Sequence, residues 1–424
     1  MSVAMSASRR AIQARGQPVT ELMAQALANP DLISLAAGFV DQQTLTVAAV
    51  RLASEKILQD EVTACQALQF GTTAGDTPLR NWILEMTMQA DGPLPAGHEL
   101  SVDQVVLTAG SNQMLHLVAE TLFDPGDIVI CANPSYFVFL GILGYLDVRA
   151  VGVDVDDEGM LASGLEEKLK ELEREGERDR VKAVYLVPYF DNPAGITISA
   201  RRGGEILDVV RNWSSDQRLH VIVDEAYRLL RFEGEDIPSM RSLDPDGQTV
   251  IVAGTFSKSF SPGMRVGWGI LPKDMVEPLL DQKGNIDFGS PFFNQRIMRE
   301  VVTSEQYMEH VETIRATYQE KRDALLLAAN DHLASIEGVR WRRPEGGLYV
   351  WLEVPQEVDT GPGGTLLETA IAEGMLYVPG QYCFPADGEQ VRLNHIRLSY
   401  ALQTPQGIEK GIAALARALR QTLR

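Results

Sequence analysis

The chain has 424 residues, which at roughly 150 residues per domain allows about two or three domains and a large core. Hydrophobic residues make up 45% of it and charged residues 23%, values that are typical of a folded globular protein. The formal net charge is -20, from 38 Lys and Arg against 58 Asp and Glu, and no concentrated basic segment offsets it. Such a charge repels phosphate backbones and anionic lipid, so the sequence argues against nucleic-acid and membrane partners.

The cysteines and the apolar segments favour a cytoplasmic protein. Cys65, Cys131 and Cys383 are odd in number and show no C-x-x-C spacing, which is typical of reduced thiols. The longest apolar stretch, Tyr136 to Leu146, is too short to cross a bilayer, and no apolar leader segment opens the chain. The six histidines form no ligand cluster, so we expect no metal site.

In chain order, the first hundred residues have the pattern of helices and loops, and strand-like runs begin at residue 104. These short β-branched runs alternate with amphipathic stretches, which predicts a mostly parallel sheet with helices on both faces. In one intervening helix, Leu165, Leu169 and Leu172 form a single apolar stripe among charged residues. Seven runs are predicted as strands of one sheet: Gln104–Ala109, Ile128–Cys131, Val148–Val153, Ala183–Val187, His220–Asp224, Thr249–Thr255 and Val266–Leu271.

The pattern changes beyond residue 285 and indicates a second, smaller α+β domain. A long helical segment from about Arg299 to Leu333 precedes short strand-like pieces near 348–352, 376–380 and 396–400. We therefore divide the chain into three parts. They are an N-terminal segment at 1–50 that we expect to contribute to the small domain and to a loop of the functional site, a large domain at 51–290, and a long interdomain helix with the C-terminal small domain at 291–424.

Polar residues follow the apolar runs at the carboxyl edge of the predicted sheet, where open α/β sheets bind ligands. Asp224 ends an apolar strand, and its buried charge implies a cation, a metal or a ligand nitrogen. Lys258 stands among aromatic and small residues and is a candidate nucleophilic amine. The turn at 110–113 opens a helix whose free N–H groups suit a phosphate. Each feature alone has an ordinary structural explanation, but together they are the parts of a pyridoxal phosphate site.

Four segments carry a resemblance to a known enzyme family. T-F-S-K-S-F-S-P-G-M-R-V-G-W at 255–268 is the most specific, because 265 − 258 gives the seven-residue interval of that family between its Schiff-base lysine and its phosphate-binding arginine. D-N-P-A-G, V-D-E-A-Y and I-R-L-S-Y follow the same order along the chain. From about Ser34 onward the sequence resembles the class I and II pyridoxal-phosphate-dependent aminotransferases, in the branch of aromatic, 2-aminoadipate and kynurenine aminotransferases. The resemblance implies an α/β fold of the fold type I transferases, with a mostly parallel seven-stranded sheet in a large domain and a smaller α+β domain.

The resemblance also implies which catalytic residues contact the cofactor, pyridoxal 5'-phosphate. Lys258 matches the residue that forms the Schiff base and shuttles the proton, and Asp224 matches the one that keeps the pyridine nitrogen protonated. Asn192 and Tyr227 match the pair that hydrogen-bonds the phenolic oxygen, and Tyr136 matches the ring stacker.

Further residues match the phosphate and substrate contacts of the family. Arg397 corresponds to the arginine that grips the α-carboxylate, a task that suits its planar fork, with Asn192 beside it. Gly38 corresponds to a backbone element that closes over the substrate. The phosphate cradle matches Ser111, Asn112, Ser257 and Arg265.

The activity that the resemblance implies is amino-group transfer between an α-amino acid and a 2-oxo acid, by a ping-pong route through pyridoxamine phosphate. It also implies a homodimer with the active site at the subunit interface. Two alternatives use the same parts differently: another pyridoxal phosphate reaction, such as β-elimination or racemisation, and an aminotransferase-like domain of a transcriptional regulator.

The sequence departs from the family pattern at several positions. Phe70 stands in L-Q-F-G where the family has a tyrosine that reaches the phosphate of the partner subunit. Asn112 replaces a common glutamine, and Ala194 replaces the usual threonine. Gly38 is followed by Phe39 rather than the usual proline-containing loop. None of these changes removes a group that Schiff-base chemistry requires, but together they leave the amino-acid donor open.

Overall fold

A computed structural model describes residues 7–14, 28–29, 31–92, 100–214, 216–385 and 391–424. Within these ranges the α-helices span Arg9–Gln13, Val47–Leu58, Glu61–Leu68, Thr77–Asp91, Ser111–Leu122, Phe137–Tyr145, Ala162–Arg174, Ala200–Trp213, Lys273–Asp287, Phe292–Val302, Gln306–His332, Leu366–Ala372 and Pro405–Thr422. The strands are β1 (Ile33–Ser34), β2 (Val105–Thr108), β3 (Ile128–Asn133), β4 (Arg149–Asp156), β5 (Gly159–Met160), β6 (Val181–Leu186), β7 (His220–Asp224), β8 (Val250–Thr255), β9 (Gly267–Ile270), β10 (Arg340–Trp341), β11 (Tyr349–Glu353), β12 (Met375–Leu376), β13 (Val378–Pro379) and β14 (His395–Ser399).

The large sheet has the order β2-β9-β8-β7-β6-β3-β4-β5. The pairs from β8 through β7, β6 and β3 to β4 are parallel, whereas β9 is antiparallel to both of its neighbours. The mostly parallel α/β sheet is confirmed, and each of the seven predicted runs overlaps a strand of it. The sheet has eight strands rather than seven, because β5 is a two-residue strand that turns back on β4 and is too short to leave a periodic pattern.

Both faces of this sheet are buried, which explains the nearly continuous apolar runs of its strands. Along β7, Val221 and Val223 contribute to one core cluster and Ile222 to the other, since successive side chains point to opposite faces. The helix at 162–174 buries Leu165, Leu169 and Leu172, which confirms the predicted stripe.

A second sheet, with the order β10-β11-β14-β13, is antiparallel throughout. Near it, β1 pairs in parallel with β12. Leu35, directly after β1, bonds to two strands of the C-terminal part of the chain. Its N–H donates to Leu376 O of β12 at 2.8 Å, and its carbonyl accepts from Ser399 N of β14 at 2.7 Å. An N-terminal segment is thereby held beside strand β14, which contains Arg397.

The single long helix predicted from about Arg299 to Leu333 is wrong. One helix ends at Val302 and the next begins at Gln306. In the break, the hydroxyl groups of Thr303 and Ser304 donate to the Arg299 and Val301 carbonyls, at 2.8 and 2.7 Å. Such local side-chain bonds compete with the helical pattern and favour a turn.

None of the described helices combines the length and the apolar composition that a membrane crossing needs. In the same part of the chain, no three His, Cys, Asp or Glu side chains gather as a candidate metal site. All three cysteines are free, Cys65 exposed and the other two buried.

Candidate active site

A cavity of about 190 Å³ opens at the carboxyl edge of the large sheet, between β7, β8 and the helix at 111–122. Nine of the eleven predicted site residues line it, and the other two, Asn192 and Arg397, bond to each other close by. The nine are Gly38, Ser111, Asn112, Tyr136, Asp224, Tyr227, Ser257, Lys258 and Arg265.

Asp224 is the last residue of β7 and only 4% exposed. Its carboxylate accepts hydrogen bonds from Ala226 N at 3.1 Å and from the Tyr185 hydroxyl at 3.5 Å. Burial raises its pKa to about 6, although these bonds and the Lys258 charge act in the opposite direction. No Lys or Arg of the described ranges forms an ion pair with it, so the carboxylate suits a cationic nitrogen of a ligand.

Lys258 lies in the loop between the end of β8 at Thr255 and the start of β9 at Gly267. Because β9 returns antiparallel to β8, this loop is held at the carboxyl edge of the sheet. The Lys258 amine donates to the Gly38 carbonyl at 2.8 Å and has no carboxylate partner in the described part of the chain. A lining amine without an acidic partner is available as a nucleophile.

An anion cradle surrounds Gly110, which precedes the helix at 111–122. Arg265 reaches this turn, with Nη2 donating to Ala109 O at 3.0 Å and Nη1 to Ser257 Oγ at 3.4 Å. Gly110 has φ +87°, and a Cβ there would stand 2.5 Å from Arg265 Nη2. The helix N-terminus and the guanidinium therefore meet only because residue 110 has no side chain, and together they suit a phosphate.

Two residues that the sequence reasoning missed brace this cradle. The Thr255 hydroxyl donates to Ser257 Oγ at 2.9 Å. The Gln113 side chain accepts from Ala109 N at 2.6 Å and donates to Asp287 at 2.8 Å. Their positions within the motifs were visible in the sequence, but their hydrogen bonds depend on the loop geometry.

Tyr136 follows β3 and precedes the helix at 137–145, so its ring lies at the sheet edge as predicted. Its hydroxyl donates to Asn112 Oδ1 at 3.4 Å. This hydrogen bond connects the Tyr136 ring with the anion cradle, to which Asn112 belongs.

Arg397 is only 1% exposed and approaches the cavity from β14 of the second sheet. Its Nη1 donates to Asn192 Oδ1 at 3.0 Å and its Nη2 to Ala36 O at 2.7 Å, whereas Nε has no partner. The rings of Tyr349 and Phe137 lie 4.5 and 5.0 Å from its Cζ. A buried arginine that keeps an unpaired N–H, with no carboxylate among the described residues, suits a carboxylate ligand.

Tyr227 adds a buried hydroxyl to the cavity, 3.3 Å from the hydroxyl of Tyr349. Sequence reasoning missed Tyr349, because its segment has the pattern of a core strand. Only the pairing of β11 with β14 identifies it as a neighbour of Arg397.

The donor set fits a group that carries a phosphate, a basic ring nitrogen and an electrophile. The cradle around Gly110 suits the phosphate, the buried Asp224 carboxylate suits the ring nitrogen, and Lys258 suits the electrophile. Pyridoxal 5'-phosphate has all three.

Comparisons with known proteins agree with this chemistry. The family model described as aminotransferase class I and II matches residues 30–415. The aromatic-amino-acid aminotransferase 1 of Thermococcus litoralis is 34% identical over 418 residues, which cover 98% of this chain and 94% of that protein. The 2-aminoadipate transaminase of Thermus thermophilus is 31% identical, over 93% of this chain and 91% of its own. A kynurenine aminotransferase of Pyrococcus horikoshii, solved in complex with PMP, superposes with a TM-score of 0.89 at 32% identity, over 99% of this chain and 98% of its own.

Proposed function

The chain belongs to the class I and II aminotransferases, and from this premise we propose that it works with pyridoxal 5'-phosphate held by the residues described above. The protein is an enzyme that moves an amino group between an α-amino acid and a 2-oxo acid. The observation that carries the proposal for the cofactor is the convergence of Asp224, Lys258 and the Gly110 cradle on one cavity.

The cofactor, when bound, supplies a ring that accepts the electrons released at the substrate's α-carbon and carries the amino group between the two half-reactions. The Lys258 amine would hold the cofactor covalently until the substrate's amine displaces it, and the freed amine would then move the proton at the α-carbon. The Asp224 carboxylate holds a proton on the ring nitrogen, where the cation also offsets the cost of the buried charge. Asn192 and Tyr227 would be the donors to the cofactor's phenolic oxygen, and the ring of Tyr136 would pack against the cofactor.

The cradle orients the cofactor through its phosphate. Arg265, Ser257 and the N–H groups at 111 and 112 hold the anion, with the polar side chains of Ser111 and Asn112 beside them. Because the guanidinium is also tied to Ala109 O, it has little freedom to turn away.

Arg397 binds the α-carboxylate that both substrates share. The backbone segment that contains Gly38 closes over the bound substrate. The contacts from Asn192 and Ala36 fix two guanidinium nitrogens before substrate arrives, so little ordering remains to be done on binding.

The partner subunit is part of the proposal. Leu68, Phe70 and Phe288 are 67%, 77% and 61% exposed, and the two phenylalanine rings meet edge to face at 5.6 Å. Apolar side chains this exposed, side by side, suit burial in a subunit interface. Phe70 does not line the cavity of its own chain, which fits a homodimer in which it reaches the other active site.

We also place the enzyme in the cytoplasm, for which the three free thiols are the support. The division at residues 50 and 290 remains part of the proposal. The pairing of β1 with β12 supports the assignment of the N-terminal segment to the smaller domain.

A single-turnover experiment tests the function. The purified enzyme, with cofactor bound, is mixed with an excess of one amino acid and no 2-oxo acid. Amino transfer converts the cofactor spectrum once and then stops until pyruvate or 2-oxoglutarate is added. Continuous release of ammonia or pyruvate without a 2-oxo acid would instead indicate elimination, and racemisation of the amino acid without a spectral change would indicate a racemase.

A further inference from the structure

Tyr349 lies close to two cationic side chains of the site, Lys258 and Arg397, and the function proposed above gives it no role. It is the first residue of β11 and only 2% exposed. Its ring contacts the Arg397 guanidinium, and its hydroxyl stands 2.6 Å from where a Cβ on Gly38 would lie. The Gly38 carbonyl accepts from Lys258 Nζ at 2.8 Å, so the Tyr349 phenol and the reactive amine approach the same residue.

The contact with Arg397 follows from the strand register. Tyr349 pairs with Ser399 and Trp351 pairs with Arg397, so Tyr349 and Arg397 are diagonal neighbours on one face of the sheet. Phe137 provides a second ring at 5.0 Å from the same guanidinium. Cations are attracted to aromatic faces, so these rings fix the plane in which Arg397 presents its donors.

The hydroxyl of Tyr349 has a separate partner in Tyr227, 3.3 Å away. If Tyr227 uses its single proton on the cofactor's phenolic oxygen, the proton of this contact comes from Tyr349. Burial alone would raise the pKa of Tyr349, but the Lys258 and Arg397 charges outweigh it and lower that pKa. Burial raises the pKa of Tyr227 well above its usual value, so Tyr349 is the stronger proton donor of the two.

We propose that Tyr349 is a positioning residue of the amino-transfer site with two separable parts: its hydroxyl strengthens Tyr227 as a donor to the cofactor, and its ring fixes Arg397 for the substrate carboxylate. The inference rests on the proposed function. A chain of hydrogen bonds polarises its members, so loss of the first donor weakens the second. The phenolic oxygen is then less stabilised as an anion, and the proton on the Lys258 nitrogen is held more tightly.

The test uses the enzyme with its cofactor bound and without substrate. Tyr349→Phe keeps the ring and removes the hydroxyl, so a pH titration of the visible cofactor absorbance should show about a threefold or greater increase in proton affinity. The KM values for amino acids and 2-oxo acids should stay within about twofold of wild type. Tyr349→Leu removes the ring as well and should raise KM for every carboxylate substrate by about tenfold.

Tyr377→Phe is the matched control, because this buried tyrosine donates to the Thr360 carbonyl at 2.8 Å and does not line the cavity. Its titration should overlay that of wild type. A Tyr349→Phe titration that also overlays wild type overturns the role of the hydroxyl, and an unchanged KM in folded Tyr349→Leu overturns the role of the ring. If wild type itself shows no cofactor absorbance, the proposed function fails instead, so the two failures are distinguishable.

Discussion

Arg397 Nη1 donates to Asn192 Oδ1 at 3.0 Å, which joins residues 205 positions apart in the chain. One comes from strand β14 of the second sheet and the other from the turn after β6 of the large sheet. The bond uses the amide oxygen of Asn192 and leaves its NH₂ group free to donate. A single side chain can therefore orient the carboxylate-binding arginine and contact the cofactor at the same time.

Arg397→Lys should raise KM for all amino-acid and 2-oxo-acid substrates by about tenfold or more, because a point charge replaces a fork that binds the shared carboxylate. Steady-state kinetics with several donors measure this. Arg392→Lys is the control, since Arg392 pairs with Asp154 outside the cavity and is about half exposed. A defect limited to one substrate would mean that Arg397 contacts the side chain instead.

Lys258→Ala should abolish the visible absorbance of the bound cofactor and lower kcat by several orders of magnitude, because the covalent anchor and the proton carrier are lost together. Absorbance spectra and single-turnover kinetics measure the two effects. Exposed Lys273→Ala serves as the control. Near-wild-type amino transfer in the Lys258 variant would refute its assignment.

Asp224→Asn should lower kcat and also change the pH dependence of stability in the cofactor-free protein. The folded pKa of about 6 lies above the ordinary value of 3.8 for an aspartate, so the buried charge costs stability as pH rises through this interval. This difference corresponds to about 3 kcal/mol. The Asn variant should therefore be more stable than wild type by about that amount at pH 7, and the two proteins should be about equally stable near pH 4.

Denaturant unfolding of both proteins across this pH range measures the difference. The buried carboxyl of Asp191, whose pKa is raised to about 7, is common to both proteins and cancels in that comparison. The Asp224 charge contributes to the raised pKa of Glu225, so the substitution also lowers that pKa. Asp208→Asn, on an exposed helix face, should leave the profile unchanged. A difference that does not vary with pH, or an unchanged kcat, would contradict the assignment.

Gly110→Ala should weaken cofactor binding by more than about tenfold, because its Cβ would collide with Arg265 Nη2 where the phosphate is expected. Gly126→Ala provides a matched control, since Gly126 has φ +91° and no atom within 4 Å of the added Cβ. Both variants bear the strain of a side chain at positive φ, about 1–3 kcal/mol, but only the first blocks the cradle. Equal cofactor affinity in the two would mean that the phosphate binds elsewhere.

Phe70→Tyr should tighten cofactor binding by about tenfold, because in the proposed homodimer the new hydroxyl reaches the phosphate of the partner subunit and a hydrogen bond to a charged group contributes ~1.5–3 kcal/mol. The gain is measured from the cofactor dissociation constant at protein concentrations above and below the dimer dissociation constant. Dilution below the dimer dissociation constant should erase it. Phe288→Tyr, on the neighbouring exposed ring, is the control. Unchanged affinity in the Phe70 variant would contradict this use of the dimer.

The sequence by itself determined the features that local patterns encode. The alternation of apolar runs with amphipathic stretches indicates the order of strands and helices along the chain. Strands that are buried on both faces need continuous apolar runs, and the helices that cover them need one apolar face. The interval from Lys258 to Arg265 was also readable, since both residues belong to one short loop whose ends are fixed by adjacent strands.

Only the tertiary structure decided which distant residues meet. Tyr349, Arg397 and Asn192 come from three separate segments, and their contacts depend on the register of β11 with β14 and on the position of the second sheet beside the large one. The break in the helix at Thr303 and the two-residue strand β5 were not predicted from the sequence either. Neither leaves a periodic apolar pattern, because side-chain hydrogen bonds make the first and one turn makes the second.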